Sequence, residues 1–402
     1  MAVSRPNDSI AKRIQALNDR VRSIRQSDLY LYNIPIDELN GGSRVRVNGS
    51  EMHMFASYSY LGLIGHPRIN KAAVEAIERY GTGTHGVRSL AGSLPLHRQL
   101  EAKIAEFKGT EAAITYSSGY VTNLTTISSL VGRHDYVFSD KLNHASIVDG
   151  CLLSGAEMVR FRHNDIHDLD NRLAALDPEA SVLVVVDAVF SMDGDITDLP
   201  NLVEVCRRHG ARLMVDEAHS LGVLGERGTG IEEHFGMPGV IDVKMGTLSK
   251  TIPSVGGYIA ASAELIGYLR HQSRAYIFSA ALPPGQAAAA LEAICVIEDE
   301  PWRAESLRRN TQAFIGGLQS HGLDTLQTET AIVPVLCGAD DTAFQVARHA
   351  HRNGVFVLPV ISPAVPEGAA RLRATVTAAH QLDEIEMAVD VIADAARHAG
   401  VL

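Results

Sequence analysis

The chain has 402 residues, of which 46% are apolar and 21% charged, and its formal net charge at pH 7 is −11. This length accommodates one large domain and a smaller one, and the composition is that of an ordinary soluble globular protein. The negative charge, with no block of basic residues, argues against nucleic acid or an anionic membrane as the main partner. The cysteines form no C-x-x-C pair, which favours reduced thiols in a cytoplasmic protein over disulfides or zinc ligation at Cys151, Cys206, Cys295 and Cys337.

The N-terminal part of the chain predicts helices and one hairpin. Residues 10–25 have the apolar spacing of an amphipathic helix, and they lack the continuous apolar stretch of a secretory signal. The pair Asn48-Gly49 predicts a hairpin, because both central residues of a tight hairpin turn need positive φ. Residues 71–80 and 99–107 predict two further helices. Because the longest apolar runs have the length of strands, we expect no membrane span.

Strands and helices alternate through the middle of the chain. The apolar run at 182–186 has no polar face, which is typical of a strand inside a parallel sheet that helices cover on both sides. Helical stretches such as 202–209 separate the strands, and this rhythm predicts a doubly wound α/β domain. The predicted strands are 112–116, 136–139, 158–161, 182–187, 212–216, 243–246 and 257–261.

The pattern changes after the pair of prolines at 283–284. Long helical stretches at 286–298 and 306–320 precede strand-like segments, which predicts a smaller α+β domain at the C-terminus. These segments are 332–336, 355–359 and 372–377. We therefore divide the chain into an N-terminal helix and hairpin segment, a large domain and a small C-terminal domain, with bounds at 1–60, 61–285 and 286–402.

One lysine stands out among the candidate functional residues. Lys250 follows the predicted strand 243–246, and small hydroxylated residues surround it in the sequence: Thr247, Ser249, Thr251 and Ser254. Asp216 ends another predicted strand, so both side chains would meet at the carboxyl edge of the sheet, where α/β proteins form their sites. A lysine that binds covalently and an aspartate that holds a pyridine nitrogen protonated are what pyridoxal phosphate (PLP) requires.

Two neighbouring segments extend this hypothesis. Ser118, Gly119 and Tyr120 open a helix after strand 112–116, and the N-terminus of a helix with small residues suits a phosphate group. His144 follows strand 136–139, where its flat ring would stack on the face of an aromatic cofactor. A helix cap and a surface-loop histidine are the simpler interpretations of each segment alone.

Other motifs point to other classes of site and are less complete. The glycines at 81–86 match G-x-G-x-x-G, but a predicted helix precedes them where a dinucleotide site has a strand. The acidic residues at 216–219 resemble those of an ATPase, yet 246–251 lacks the glycine and spacing of a P-loop. His163 and His167 have a zinc-like spacing with no third ligand, so we expect no metal.

These motifs together resemble fold-type I PLP enzymes, and within them the α-oxoamine synthase family. The resemblance covers almost the whole chain. Its motifs are residues 60–63, 118–120, 143–145, 190–195, 216–219, 247–250, 256–258, 278–284 and 371–380. Residues 146–151 and 160–165 are most similar to the bacterial serine palmitoyltransferase branch. The fold that this resemblance implies is a large domain with a mainly parallel, doubly wound sheet and a smaller α+β C-terminal domain.

The resemblance also implies roles for individual residues toward PLP. Lys250 would bind the cofactor covalently, Asp216 would pair with its pyridine nitrogen, and His144 would stack on its ring. His219 and Ser191 would neighbour its phenolic oxygen. The phosphate would be held by a set of small and aromatic residues, one of them from a second subunit: Ser118, Gly119, Tyr120, Thr247 and Ser279.

On the substrate side, Arg373 would bind the carboxylate of an amino acid, because a guanidinium fork matches a carboxylate. Ser59 and His85 are further candidates for substrate contact. Two departures from the family lie near the substrate: Ser59 stands where relatives usually carry Asn, and Ile361 stands where they usually carry Arg. A third is the stretch 251–254, which replaces a glycine-bearing stretch.

The implied reaction is a decarboxylative Claisen condensation in a homodimer. Lys250 would remove the α-proton of glycine, alanine or serine, and the resulting carbanion would attack an acyl thioester on CoA or a carrier protein. The products are an α-amino ketone, carbon dioxide and a free thiol. Activities like those of serine palmitoyltransferase and of 8-amino-7-oxononanoate synthase fit equally well. A PLP aminotransferase or lyase of the same fold, and a non-catalytic subunit of a heterodimeric synthase, are the alternatives.

Overall fold

The computed structural model describes residues 8–27 and 29–402. Within them the strands are β1 (Glu38–Asn40), β2 (Arg44–Val47), β3 (Ser50–Met54), β4 (Ala112–Tyr116), β5 (Tyr136–Asp140), β6 (Glu157–Phe161), β7 (Val182–Asp187), β8 (Arg212–Asp216), β9 (Val243–Thr247), β10 (Gly257–Ala261), β11 (Ile332–Gly338), β12 (Val355–Phe356), β13 (Leu358–Val360) and β14 (Ala370–Thr375). The helices are α1 (Ser9–Gln26), α2 (Pro67–Tyr80), α3 (Pro95–Lys108), α4 (Gly119–Leu130), α5 (Ala145–Ser154), α6 (Ile166–Ala174), α7 (Leu199–Arg208), α8 (Ile231–His234), α9 (Ala263–Gln272), α10 (Arg274–Phe278), α11 (Pro284–Asp299), α12 (Trp302–Ser320), α13 (Asp340–Arg352) and α14 (Leu382–His398). In these described ranges no helix combines the length and apolar content needed to cross a membrane.

The large sheet has seven strands in the order β4-β10-β9-β8-β7-β5-β6. Its strands run parallel from β9 to β6, and β10 is antiparallel to both of its neighbours. Alternate residues of β7 face opposite sides: Val184 and Val186 belong to one apolar core, whereas Leu183 and Val185 belong to the other. The prediction of a mainly parallel sheet covered on both faces is confirmed.

The core that contains Val184 and Val186 extends beyond the predicted large domain. Buried alanines and isoleucines of α11 pack in the same core as Ile69 of α2 and Leu100 of α3. Residues before and after the predicted division at 285/286 therefore share one apolar interior. The predicted bounds of the three segments stay predictions.

The C-terminal sheet has the order β11-β14-β13, and α12, α13 and α14 pack against it in a separate core. The prediction of a single strand at 355–359 is wrong. Val355 and Phe356 pair in parallel with β3, whereas Leu358 and the following residues pair antiparallel with β14. The chain thus leaves one sheet and enters another at Val357, because each half of this apolar run buries itself against a different partner.

The N-terminal hairpin is confirmed. Asn48 and Gly49 have φ values of 49° and 77°, as a tight turn between β2 and β3 requires. After the hairpin, the ring of Phe55 stacks on His380 at 4.3 Å between centroids and on Phe314 at 5.2 Å. This stack fixes the chain that leads from the hairpin into the Tyr58–Tyr60 segment.

Candidate functional site

The carboxyl ends of β5, β7, β8 and β9 bring most of the predicted residues to one edge of the large sheet. Lys250 lies just after β9, and its Nζ is 2.7 Å from Nε2 of His219, which lies just after β8. Nδ1 of His219 is in turn 2.6 Å from the hydroxyl of Tyr60. The three groups form a chain of hydrogen bonds that ends at the Lys250 amine.

Burial sets the proton affinities in this chain. It lowers the pKa of Lys250 to about 8, since the Asp216 carboxylate offsets only part of the desolvation and Arg373 repels the ammonium. Burial and the positive charge of Lys250 hold the pKa of His219 well below its ordinary value, so its imidazole is neutral. Burial raises the pKa of Tyr60 to about 12, so its phenol keeps its proton.

Asp216 ends β8 and is held from two sides. Its Oδ2 accepts a hydrogen bond from Asn123 Nδ2 at 2.6 Å, and its Oδ1 accepts one from the backbone N–H of Ala218 at 2.9 Å. Asn123 also donates to Ser146 Oγ, which is 2.7 Å from Nδ1 of His144. One continuous polar chain therefore orients both Asp216 and His144.

A second carboxylate fixes the backbone of His144. Asp187, at the end of β7, accepts a hydrogen bond from the backbone N–H of His144 at 2.8 Å, and its own N–H donates to Asn143 Oδ1. Burial and the nearby Asp216 raise the pKa of Asp187 well above its usual range. Burial, helped by Lys250, lowers the pKa of His144, so its ring is neutral at pH 7.

The start of α4 has the shape of an anion cradle. Ser118 caps the helix and accepts a hydrogen bond from the N–H of Val121. A Cβ at Gly119 would lie 2.9 Å from Thr247 Oγ1, and a Cβ at Gly257 would lie 3.0 Å from the Gly119 nitrogen. Only glycines allow these backbones to approach so closely. Thr247 Oγ1 is 2.8 Å from Ser249 Oγ, so hydroxyls line the same corner.

Two aromatic residues border this region. Tyr120, half-exposed, presents its ring edge to His144 with 6.3 Å between centroids, and its hydroxyl donates a hydrogen bond to Asp149. Tyr58 lies with its ring centroid 5.7 Å from Lys250 Nζ and 4.8 Å from the Arg373 guanidinium carbon. Both distances are within the range of a cation–π contact.

Arg373 on β14 points a free donor into the site. Its Nε donates to the carbonyl oxygen of Ser191 at 2.6 Å and its Nη1 donates to Thr375 Oγ1 at 3.2 Å. Its Nη2 is buried and has no partner in the described part of the chain, and neither has the buried Oγ of Ser59. Because an unpaired buried donor is costly, these atoms indicate room for a bound acceptor.

Two of the predicted site residues, Ser279 and His85, do not line the cavity that contains Lys250. Ser279 and His85 occupy neighbouring segments, since Ala280 bridges to Val87 and Ala281 donates its N–H to the Gly86 carbonyl oxygen. Neither side chain hydrogen-bonds to any of the described residues. Neither lines the cavity of about 580 Å³ that contains Lys250, Ser59 and Tyr58.

The predicted histidine pair has another use. His163 precedes α6, so the spacing of His163 and His167 is not that of one helix face. The His163 ring lies between two carboxylates, with Nδ1 3.0 Å from Asp140 and Nε2 2.9 Å from Asp195. Asp140 ends β5 ahead of His144, and Asp195 closes the loop that carries Ser191. His163 therefore clamps two segments of the site together.

Sequence reasoning missed several residues of the site: Tyr58, Tyr60, Asn123, Ser146 and Asp187. Asn123 was not predicted, because the other buried residues of α4 are mostly threonines and no apolar face marks its position as inward-facing. Tyr60 could be read only as part of a family motif.

Comparison with known proteins identifies the family. The model of the aminotransferase class I and II family matches residues 50–392. The 8-amino-7-oxononanoate synthase of Geobacter sulfurreducens is 46% identical over 90% of this chain and 93% of its own. The serine palmitoyltransferase of Sphingobacterium spiritivorum is 41% identical over 95% of each chain.

The chain belongs to the aminotransferase class I and II family. Among solved structures, a serine palmitoyltransferase variant from S. paucimobilis with a bound PLP-myriocin aldimine superposes with a TM-score of 0.95 at 35% identity, over 98% of this chain and all of the other. The predictions of an α-oxoamine synthase relative, of fold-type I and of PLP dependence are confirmed. The roles of individual residues stay predictions.

The geometry fits PLP on its own terms. A buried amine of lowered pKa, a buried carboxylate held by two hydrogen bonds, and a glycine-lined cradle at a helix start meet at one edge of the sheet. Lys250, Asp216 and the backbone at Gly119 would hold the cofactor's aldehyde carbon, pyridine nitrogen and phosphate, respectively.

We predict that His163 stabilises the fold as an imidazolium. Burial lowers its pKa, but hydrogen bonds to Asp140 and Asp195 outweigh burial and raise it to about 10. A raised folded-state pKa contributes stability that is complete below the unfolded value of about 6.5 and lost as the pH rises through about 10. His163→Gln should cost about 1–3 kcal/mol of the free energy of unfolding at pH 7, because two carboxylates lose their shared partner.

Urea unfolding at pH 7 and at pH 10.5 measures this difference. The difference in free energy of unfolding between the parent protein and His163→Gln should be smaller at the higher pH. His167→Gln is the matched control, since His167 is exposed and hydrogen-bonds to Asn171 on the same helix, and it should leave the stability unchanged at both pH values. A gap that does not depend on pH would contradict an imidazolium at this position.

Proposed function

We propose that this chain catalyses the PLP-dependent, decarboxylative condensation of glycine, alanine or serine with an acyl thioester on CoA or a carrier protein. The products are an α-amino ketone, carbon dioxide and a free thiol. The observation that carries the proposal is the buried chain from Lys250 through His219 to Tyr60, beside a buried Asp216. The identities of 40–46% to named synthases of this reaction type support it.

Lys250 has the properties of a proton carrier at the reaction centre. When bound, PLP supplies the electron sink that stabilises negative charge at the α-carbon of an amino acid. With a pKa of about 8, the Lys250 amine can accept and return a proton near neutral pH, which is what a general base requires. Its hydrogen bond with the neutral His219 keeps the amine fixed in direction.

Arg373 is the residue that we assign to the amino acid carboxylate. Its Nη2 is unpaired, and its other two nitrogens are already held by Ser191 and Thr375, so the guanidinium is oriented before substrate arrives. A charge-assisted hydrogen bond to a carboxylate would satisfy the last donor. The ring of Tyr58 covers the guanidinium and keeps water from its face.

The second subunit is part of the proposal. Ser279 lies next to Phe278, whose side chain is 72% exposed, and close to the loop that ends at Leu90, which is 84% exposed. Exposed apolar side chains of this size favour burial against another chain. We infer a homodimer in which this face brings Ser279 and His85 to the partner's site. Sedimentation equilibrium should give the mass of two chains, and the mass of one chain would contradict it.

The reaction is tested by measuring carbon dioxide and free thiol from the PLP-loaded protein, with each amino acid and an acyl-CoA. Release of both products should require both substrates, and Lys250→Ala should lower the rate by at least ~10³-fold because the proton carrier is gone. Lys71→Ala, at an exposed position, is the control. A keto acid formed without thioester would instead support an aminotransferase or lyase.

The role of Arg373 is tested with Arg373→Lys. The lysine keeps the charge but loses the fork, so the KM for the amino acid should rise about 10–100-fold while the KM for the thioester changes little. Arg68→Lys, which alters an exposed arginine paired with Glu292 and Asp299, controls for general effects of the replacement. An equal rise in both KM values would argue that Arg373 only supports the fold.

A further inference from the structure

An apolar cavity of about 310 Å³ lies beside the site. It is bounded by the N-terminal sheet and by residues 31–36, which precede β1. Its walls include Leu31, Ile34, Ile36, Leu39, Met54 and Phe356. We call it the tail cavity. Its volume is in the range of small-molecule sites, and its walls offer few polar partners.

The tail cavity adjoins the cavity that contains Lys250. Leu39, Ser57, Tyr58 and Ile64 line both. Tyr58 stands at the junction, because its ring contacts Lys250 and Arg373 on one side and lines the tail cavity as well. A molecule with its reacting carbon near Lys250 would therefore extend past Tyr58 into an apolar space.

Charge restricts what this space accepts. Of the described residues that line the tail cavity, Arg44 alone is charged. Its guanidinium is 2.8 Å from the Glu384 carboxylate and 3.2 Å from that of Glu51, so two acidic partners already neutralise it. A third carboxylate, brought by a ligand, would face these two acidic groups and an apolar wall, which is unfavourable.

We propose that the tail cavity binds the acyl tail of the thioester, and that this tail is an uncharged alkyl chain and not one that ends in a carboxylate. The inference rests on the proposed function and names the substrate class of the same site. It distinguishes thioesters with an alkyl tail from thioesters whose tail ends in a carboxylate, and the sequence alone favoured neither kind.

The mouth of the cavity supports an alkyl occupant. Ile36 and Leu39 are 40% and 57% exposed, so the walls present apolar surface to water when nothing is bound. Each methylene that enters should strengthen binding about fourfold until the cavity is full. A second copy of this chain could cover the same surface, and the experiment distinguishes that occupant.

The test uses the PLP-loaded protein and S-alkyl thioethers of pantetheine, the unreactive part shared by CoA and carrier-protein donors. Calorimetric titration with butyl, hexyl, octyl and dodecyl chains should give dissociation constants that fall about fourfold per methylene and then level off. A chain of equal length that ends in a carboxylate should bind at least tenfold more weakly than the alkyl chain. Equal affinity for all chains, or tighter binding of the carboxylated one, would overturn the proposal.

Two substitutions test whether the acyl tail binds in the tail cavity. Ala56→Phe fills the cavity from its wall and should abolish the gain with chain length, whereas Ala174→Phe on the exposed face of α6 should not. Leu39→Asp is a second variant at an exposed position, where folding is not at risk. It should weaken dodecyl binding at least tenfold and butyl binding by a smaller factor, so that the gain with chain length decreases. An unchanged chain-length profile in both variants, or loss of the dimer with no effect on tails, would assign the cavity to another occupant.

Failure of this inference is distinct from failure of the proposed function. If the reaction proposal is wrong, no amino acid and thioester together release carbon dioxide. If only the tail proposal is wrong, carbon dioxide is released at rates that ignore both the length of the acyl chain and the Ala56→Phe replacement.

Discussion

The balance of charge around one buried amine governs the architecture of this protein. Removing Lys250 from water lowers its proton affinity, and the Asp216 carboxylate restores part of it, which leaves a pKa of about 8. Such a balance holds only if both groups are fixed, because a freely moving side chain would reach solvent. The sheet supplies that rigidity, since Asp216 ends one strand and Lys250 follows its neighbour.

A network of buried polar residues also holds Asp216 and His144 in fixed positions. Asn123, Ser146 and Asp187 connect to Asp216 or to His144, and each is buried and hydrogen-bonded. In a low-dielectric interior such a network is strong when complete and costly when broken. Two of the buried atoms that lack a hydrogen-bond partner among the described residues, Arg373 Nη2 and Ser59 Oγ, belong to residues that we propose for the substrate side.

Sequence patterns predicted the large sheet well because each of its strands is a short apolar run that residues typical of turns separate from the next element. They failed at 355–359, where a continuous apolar run hides the fact that Val355 and Leu358 pair with strands distant in sequence. The reactive groups were accessible as motif residues at strand ends. Asn123 and Ser146 were not, because a helical polar residue reveals its partner only after the fold has brought the two together.

One register position brings together the two residues that we propose to lie near the two substrates. Leu358, which lines the tail cavity, stands directly opposite Arg373 in the β13–β14 ladder. If Arg373 binds the carboxylate and the tail cavity binds the hydrocarbon, as proposed, the two contacts share one pair of opposed residues, and any effect of one ligand on the affinity for the other is reciprocal by the same factor.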